Sequence, residues 1–397
     1  MSDHASTASS SRRQMTWACY GLLFVFGLSV GMPGPAAPSM QAAYGLSYAG
    51  AALHLTLFSA GSAVGSLVDD RLGRRFARAT VLRGALVGVM AGTTVTGLAP
   101  NAAGSLAGIT VVGFCATIAM NIAHGVIGSE YGDARDTILV NAHLAAAVGL
   151  VSAAVALAAA RAVGQWRLAF AVPIVVVVMA LMRGLPMVLP PRAPNRIAMA
   201  RTTSALPVAI RIGGAVLALA VAVEWAVTFW AASYLREPVG LPSGYADAVT
   251  VLVLATLVAG RWGLRRLTRG NGAAGLLRAA LVATVAVSVP YLAGTRLPEP
   301  FDVGVPILAL VMLCLLVTAL FPLTLNVTLA VTGPSAAEQQ RASATALSIG
   351  AIGAIVTPYL LGAIADASTL TVALIALPVG SALALVGLTA MRGTAAP

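Results

Sequence analysis

Lysine is absent from this 397-residue chain: all 24 basic residues are arginine. Acids number 13, charged residues make up 9% of the chain, and aromatics 6%. A soluble domain is about 25% charged and about 45–50% apolar with glycine included. Here 59% is apolar before glycine is counted, and the mean hydropathy is +0.91, which excludes an ordinary soluble globule. Without lysine there is no phosphate-binding loop ending in G-K-[ST], which argues against ATP drive within this chain. Cys19, Cys115 and Cys314 lie inside apolar segments and show no metal or redox spacing, so they read as small core residues, and no metal or cofactor is expected. Beyond Asp69 and Asp70, the acids form one loose group, Glu130, Asp133 and Asp136. A membrane-embedded transferase acting on a metal–diphosphate needs two acidic clusters at fixed spacing, so an enzyme is not expected. The net charge of +11 is spread over arginines at the edges of apolar segments, so no nucleic-acid partner is expected.

What the chain does have is long apolar runs. A helix needs about 20 apolar residues to cross the hydrocarbon core. Twelve such segments lie near residues 16–37, 46–68, 78–98, 103–127, 137–160, 166–189, 208–235, 245–267, 273–294, 303–331, 342–365 and 369–391. With the N-terminus cytoplasmic, 20 arginines fall at or near cytoplasmic ends, and only Arg161, Arg167, Arg236 and Arg296 fall at external ends. This is the positive-inside bias. It places both termini in the cytoplasm of a multi-pass protein of the plasma (cytoplasmic) membrane. The N-terminal run after Arg12 and Arg13 reads as an uncleaved first span rather than a signal peptide.

The chain divides in two. A tail over 1–15 precedes a six-helix bundle over 16–189. A linker rich in proline and arginine follows over 190–207, then a second bundle over 208–391 and a tail over 392–397. GLSYAGA at 45–51 opens span 2 and GLPSGYADA at 240–248 opens span 8. Each runs on to an arginine-rich stretch, DDRLGRR or GRWGLRRLTR. Internal duplication of this kind is expected in secondary transporters.

DDRLGRR reads as a tight cytoplasmic turn between spans 2 and 3, with Gly73 permitting the turn. Twelve helices as six plus six, with Asp70, Arg71, Gly73, Arg74 and Arg75 after span 2, resemble the major facilitator superfamily and its G-x-L-x-D-R-x-G-R-R motif. Ser66 stands where the first glycine belongs, Gly65 comes one residue early, and Val68 replaces the leucine. The resemblance implies an all-α fold of two pseudo-symmetric six-helix bundles and a secondary transporter. It further implies that the motif forms a cytoplasmic gate, with Asp70 meeting the start of span 11 or Arg341.

Glu224 lies in the middle of the seventh span, in AVLALAVAVEWAVTFWAASYL. A carboxylate there costs roughly 2.5–3.5 kcal/mol on the insertion scale, so it is expected on a cavity or beside a partner. Three readings stand: a proton site, a substrate ligand, or a structural carboxyl. Thr228 shares its helix face one turn on, and Trp225 is a candidate for stacking on a ring substrate. Asn121 and His124 share a face of span 4, and Asn326 follows Pro322 in span 10. The resemblance implies that spans 1, 4, 7 and 10 line a central cavity. Asn121, His124, Glu224 and Asn326 would then converge, beside the kinked MPGP at Pro33 and Pro35. His54 and His143 read as gating or packing residues.

The expectation is alternating-access transport of a small organic solute by a monomer in the lipid bilayer, coupled to protons through Glu224. One buried acid beside aromatics leans to efflux; uptake of a sugar-like polar solute is the alternative. Span 5 lacks the proline of the multidrug-antiporter motif, which weighs against drug efflux. A non-transporting sensor is the remaining rival, and the residues after Met391, RGTAAP, offer it no effector domain.

Overall fold

The computed structural model describes residues 2–190, 208–267, 272–332 and 336–394. Every regular element in them is helical. In hydrocarbon each backbone N–H and C=O must be satisfied within the segment, and runs of Ala, Leu and Val do this as helices. In order these are α1 (Ser2–Gly31), α2 (Pro33–Tyr44), α3 (Tyr48–Arg75), α4 (Arg78–Leu98), α5 (Ala102–Glu130) and α6 (Arg135–Ala162). Next come α7 (Ala171–Met182), α8 (Leu185–Val188), α9 (Val208–Arg236), α10 (Ser243–Leu267) and α11 (Ala273–Ala293). The chain closes with α12 (Phe301–Leu329), α13 (Ala336–Ala367), α14 (Leu370–Ala373) and α15 (Ala376–Thr394). Eleven stretches are long and apolar enough to cross a membrane, and a shorter apolar helical stretch, Trp166–Met182, lies where the sixth span is expected.

Three features differ from the sequence reading. DDRLGRR is not a turn: α3 continues through it to Arg75, and the Phe76 N–H still bonds the Leu72 carbonyl at 2.9 Å. Gly73 is therefore helical, and the chain reverses at Phe76–Ala77. The charges lengthen the helix beyond the apolar run, with Arg74 and Arg75 in the last turn, where the helix dipole favours cations. The sixth span is interrupted, because Gly184 takes φ +65°, a left-handed conformation open to glycine, between α7 and α8. The first span is broken at Met32, between α1 and α2, at the expected MPGP site. Of the linker placed at 190–207, all but Pro190 lies outside the described residues.

The chain forms two compact units. One comprises residues 1–36 and 57–194; the other comprises 37–56 and 195–397. In the first, α1 packs on α6 and α5, and α4 on α5 and α7. In the second, α9 packs on α13, α12 and α15, and α11 on α12 and α15. These are corresponding pairs, span 1 with 5 and span 7 with 11, as a duplicated sequence predicts. Backbones meet at glycine. A Cβ added to Gly27 would lie 1.8 Å from the Ala146 carbonyl oxygen, and one on Gly353 would lie 2.2 Å from that of Ala218. Small residues permit such approach in membranes, where van der Waals packing rather than water expulsion drives association. The missing motif glycine at Ser66 is covered the same way. Gly61 and Gly65 abut the Thr110 and Phe114 carbonyls, keeping α3 against α5.

Three of the four arginines that defy the positive-inside bias have a local partner. Arg161 donates to the Pro35 carbonyl. Arg167 donates to the Ala99 carbonyl at 2.8 Å and lies over the Trp166 ring. Arg236 pairs with Asp247 at 2.7 Å, at the end of α9. Asp247 is a buried carboxylate, so Arg236→Gln is expected to lower stability by about 1–3 kcal/mol, discounted from a fully buried pair for partial exposure. A thermal melt in detergent reads this directly.

Candidate functional site

In the second unit, α9 is the central helix, and every residue from Ala226 to Leu235 is buried. A helix apolar all round is enclosed by others, so an acid on it meets protein rather than water. Glu224 has such a neighbour. Arg261 of α10 points its guanidinium at the Glu224 carboxylate, 3.5 Å away. The two side chains are 20% and 32% exposed. The pair joins adjacent spans across 37 residues of sequence. Arg261 falls within a membrane-crossing stretch, Ser243–Leu264, although the sequence reading counted it among the arginines of a cytoplasmic turn. At 3.5 Å the contact is long for a charge-assisted hydrogen bond, which is typically about 2.7–2.9 Å. It is a loose ion pair.

The other predicted residues of this unit fall around Glu224 in different ways. Thr228 lies one turn on as expected, but its hydroxyl donates to the Glu224 backbone carbonyl at 2.8 Å. Such a bond satisfies the threonine within its own helix and leaves less for a solute. Trp225 is half-buried. Trp230 is fully buried and edge-packed on Phe229, so it is core. Asn326 is exposed on α12 and makes no hydrogen bond to Glu224.

In the first unit, the Asn121 amide reaches the Ser66 hydroxyl at 3.4 Å. Asn121 also lines a cavity of about 50 Å³ with Asp69, Gly73, Arg78, Val81, Ile122 and Gly125. That space suits a few waters and no organic solute. His124 sits one turn further along α5, with its Nε2 buried and without a hydrogen-bond partner. Its ring faces that of His143 on α6, centroids 5.2 Å apart and planes at 34°. The sequence treated these histidines separately. His54 is fully buried, with Nδ1 3.1 Å from the Ala51 carbonyl, as a packing residue would be. Among the described residues, no group of three or more His, Cys, Asp or Glu is placed to hold a metal.

Arg261 and the His124–His143 pairing are what sequence reasoning missed. Arg261 stands three residues before Leu264, the end of its apolar stretch, and so reads like any arginine near a helix end. The histidine pairing left no signal, because its members stand on different helices.

A family model described as Major Facilitator Superfamily matches residues 19–347. No curated protein matches the sequence. Among solved structures, the chain resembles a D-xylose-proton symporter with a TM-score of 0.78 at 12% identity, covering 94% of this chain and 96% of that one. It resembles the nucleoside transporter NupG with a TM-score of 0.75 at 11% identity, covering 95% and 99%. A bacterial homolog of the human lysosomal transporter Spinster, in an inward-facing and occupied conformation, matches with a TM-score of 0.73 at 14% identity, covering 96% and 97%. At such identities the likeness concerns the fold.

Proposed function

Since this chain belongs to the Major Facilitator Superfamily, and is a multi-pass secondary transporter rather than an enzyme, we propose that it couples movement of a small polar organic solute to protons at Glu224. The observation that carries this reading is the loose pair of Glu224 with Arg261 inside the membrane. Intramembrane acids are costly, and paired ones mark ion and proton pathways. Protonation of Glu224 cancels its attraction for Arg261, and the freed guanidinium then bonds elsewhere or to the solute. One proton thereby switches two groups on two helices. The plasma membrane, with both termini cytoplasmic, is the location that the arginine distribution supports.

Arg261 also bears on the solute. Export of a cation calls for an acid with no counter-charge, and Arg261 supplies one. A polar, hydrogen-bonding solute is the better fit. Efflux of an apolar or cationic compound is the second reading, favoured by the half-buried Trp225 beside Glu224. Asp70, Arg71, Gly73, Arg74, Arg75 and Arg341 form the proposed cytoplasmic gate. Asn121, His124 and Thr228 are proposed to support the site from their own units, with Asn326 the weakest member.

The test is internal pH in proteoliposomes offered pooled sugars, amino acids or small cations. A proton flux that appears with one pool supports the reading and names the solute class. Solute uptake at constant internal pH would overturn it.

A further inference from the structure

In the first unit, α5 and α6 are joined by a short turn, Tyr131–Ala134, and run back from it side by side. Beyond the turn each leans mainly on other helices: α5 on α4 and α1, and α6 on α1. His124 stands seven residues before this turn and His143 nine residues after it. At a rise of about 1.5 Å per residue, both lie roughly 10–14 Å from the turn, at a similar depth. This brings their rings face to face, with centroids 5.2 Å apart. Nε2 of His124 is buried and has no hydrogen-bond partner among the described residues. A buried polar nitrogen without a bond is costly, and ring stacking supplies none. The rings are nevertheless open to approach. His143 is exposed. Asn121, His124, Gly125 and Gly128 form one stripe of α5, and a Cβ on either glycine would meet nothing within 4 Å. The ring separation has a further meaning. Zinc binds an imidazole nitrogen at about 2.0–2.1 Å and the ring centre lies about 1.1–1.2 Å beyond, so two rings on one tetrahedral ion have centres about 5.2 Å apart. A linear two-coordinate ion would hold them about 6.4 Å apart by the same lengths.

We propose that His124 and His143 form a two-histidine site for a divalent transition-metal ion of the zinc class, which ties span 4 to span 5. Imidazole nitrogens suit zinc and nickel, whereas magnesium and calcium require oxygen ligands. The ion gives the buried Nε2 of His124 the bond it lacks. Water entering beside Gly125 and Gly128 completes the tetrahedron. A structural zinc site is closed by four protein ligands; one with two protein ligands stays open, and its ion exchanges. Because the ligands stand on two helices with few other mutual ties, the ion stiffens the first unit. It binds the folded chain better than the unfolded one and so stabilises it. The inference uses neither Glu224 nor the proton reading.

The experiment is calorimetric titration of Zn2+ into the full chain, purified in detergent without a polyhistidine tag and with His4→Asn as the background. One ion per chain should bind, with half-saturation at roughly 1–100 µM, the range left when about half of a structural zinc site's ligands are present. His143→Asn, a change at an exposed position, should weaken binding at least about thirtyfold, and His124→Asn should do the same. His143→Cys offers a thiolate, which zinc accepts at about 2.3 Å, and should retain binding. Zinc should also raise the melting temperature of the background protein and leave that of His143→Asn unchanged. A hundredfold excess of Mg2+ should displace nothing. Should His124→Asn not fold, His143→Asn and His143→Cys decide the matter. The proposal is overturned by the absence of saturable binding below about 1 mM zinc, by unchanged binding in a folded His143→Asn protein, or by displacement with Mg2+, which would assign the ion to carboxylates.

Discussion

Glu224→Gln is expected to reduce solute-dependent proton flux in proteoliposomes by at least about a hundredfold, to the leak of empty vesicles, while solute exchange across the membrane persists. The amide keeps the shape and the hydrogen-bonding capacity of the carboxyl but binds no proton, so coupling is lost and binding is not. The substitution also leaves Arg261 charged in a partly buried place. Removing one member of a buried ion pair costs about 3–5 kcal/mol, and the 32% exposure of Arg261 reduces this to about 1–3 kcal/mol. The two effects separate in a second protein. Glu224→Gln with Arg261→Gln should recover most of the lost thermal stability and none of the proton flux. A double variant that recovers proton flux would show that Glu224 serves only to neutralise Arg261. Arg261→Gln alone should retain proton binding with a changed pH profile, since Glu224 then lacks its counter-charge.

Gly149→Val is expected to abolish accumulation of folded protein. In the crossing of α1 and α6, a Cβ on Gly149 would stand 2.3 Å from the Phe24 carbonyl oxygen, and neighbouring Gly27 is tighter still. The obstructing atoms are backbone, which no side-chain rotation relieves. The helices must separate, losing dispersion contacts along the whole seam, at a cost above about 3 kcal/mol. Gly353→Val should do the same at the corresponding crossing of α9 and α13. Gly125→Ala and Gly128→Ala, which meet nothing within 4 Å, are the controls and should leave folding intact. Fluorescence-detected gel filtration of the four variants reads the difference. Equal yields would mean that the crossings are looser than the backbone contacts indicate.

The two predictions differ in how far the sequence alone would have led to them. Glu224 was legible as a site because an acid among many apolar residues is anomalous whatever surrounds it. Its partner was not, because Arg261 looks like any arginine near a helix end. Gly149 stood among 40 glycines, and nothing in the sequence marks it as one that a carbonyl touches rather than one that faces open space. The DDRLGRR stretch misled in another way. Its charge density suggested a turn, whereas the helix simply extended past the apolar run, leaving only Phe76 and Ala77 before Arg78 opened α4.

What the sequence determined by itself is the family, the order of the spans and the pairing of two halves. Hydrophobic length and flanking charge are properties read along one dimension, and the bilayer converts them into helices with little choice. Only the tertiary structure decided that Arg261 meets Glu224, that His124 faces His143, and that Asp366 caps a helix beginning 318 residues earlier. Each of these joins side chains on separate helices. Which helices touch, and at what rotation, depends on close packing of whole surfaces, and no local stretch of sequence records it.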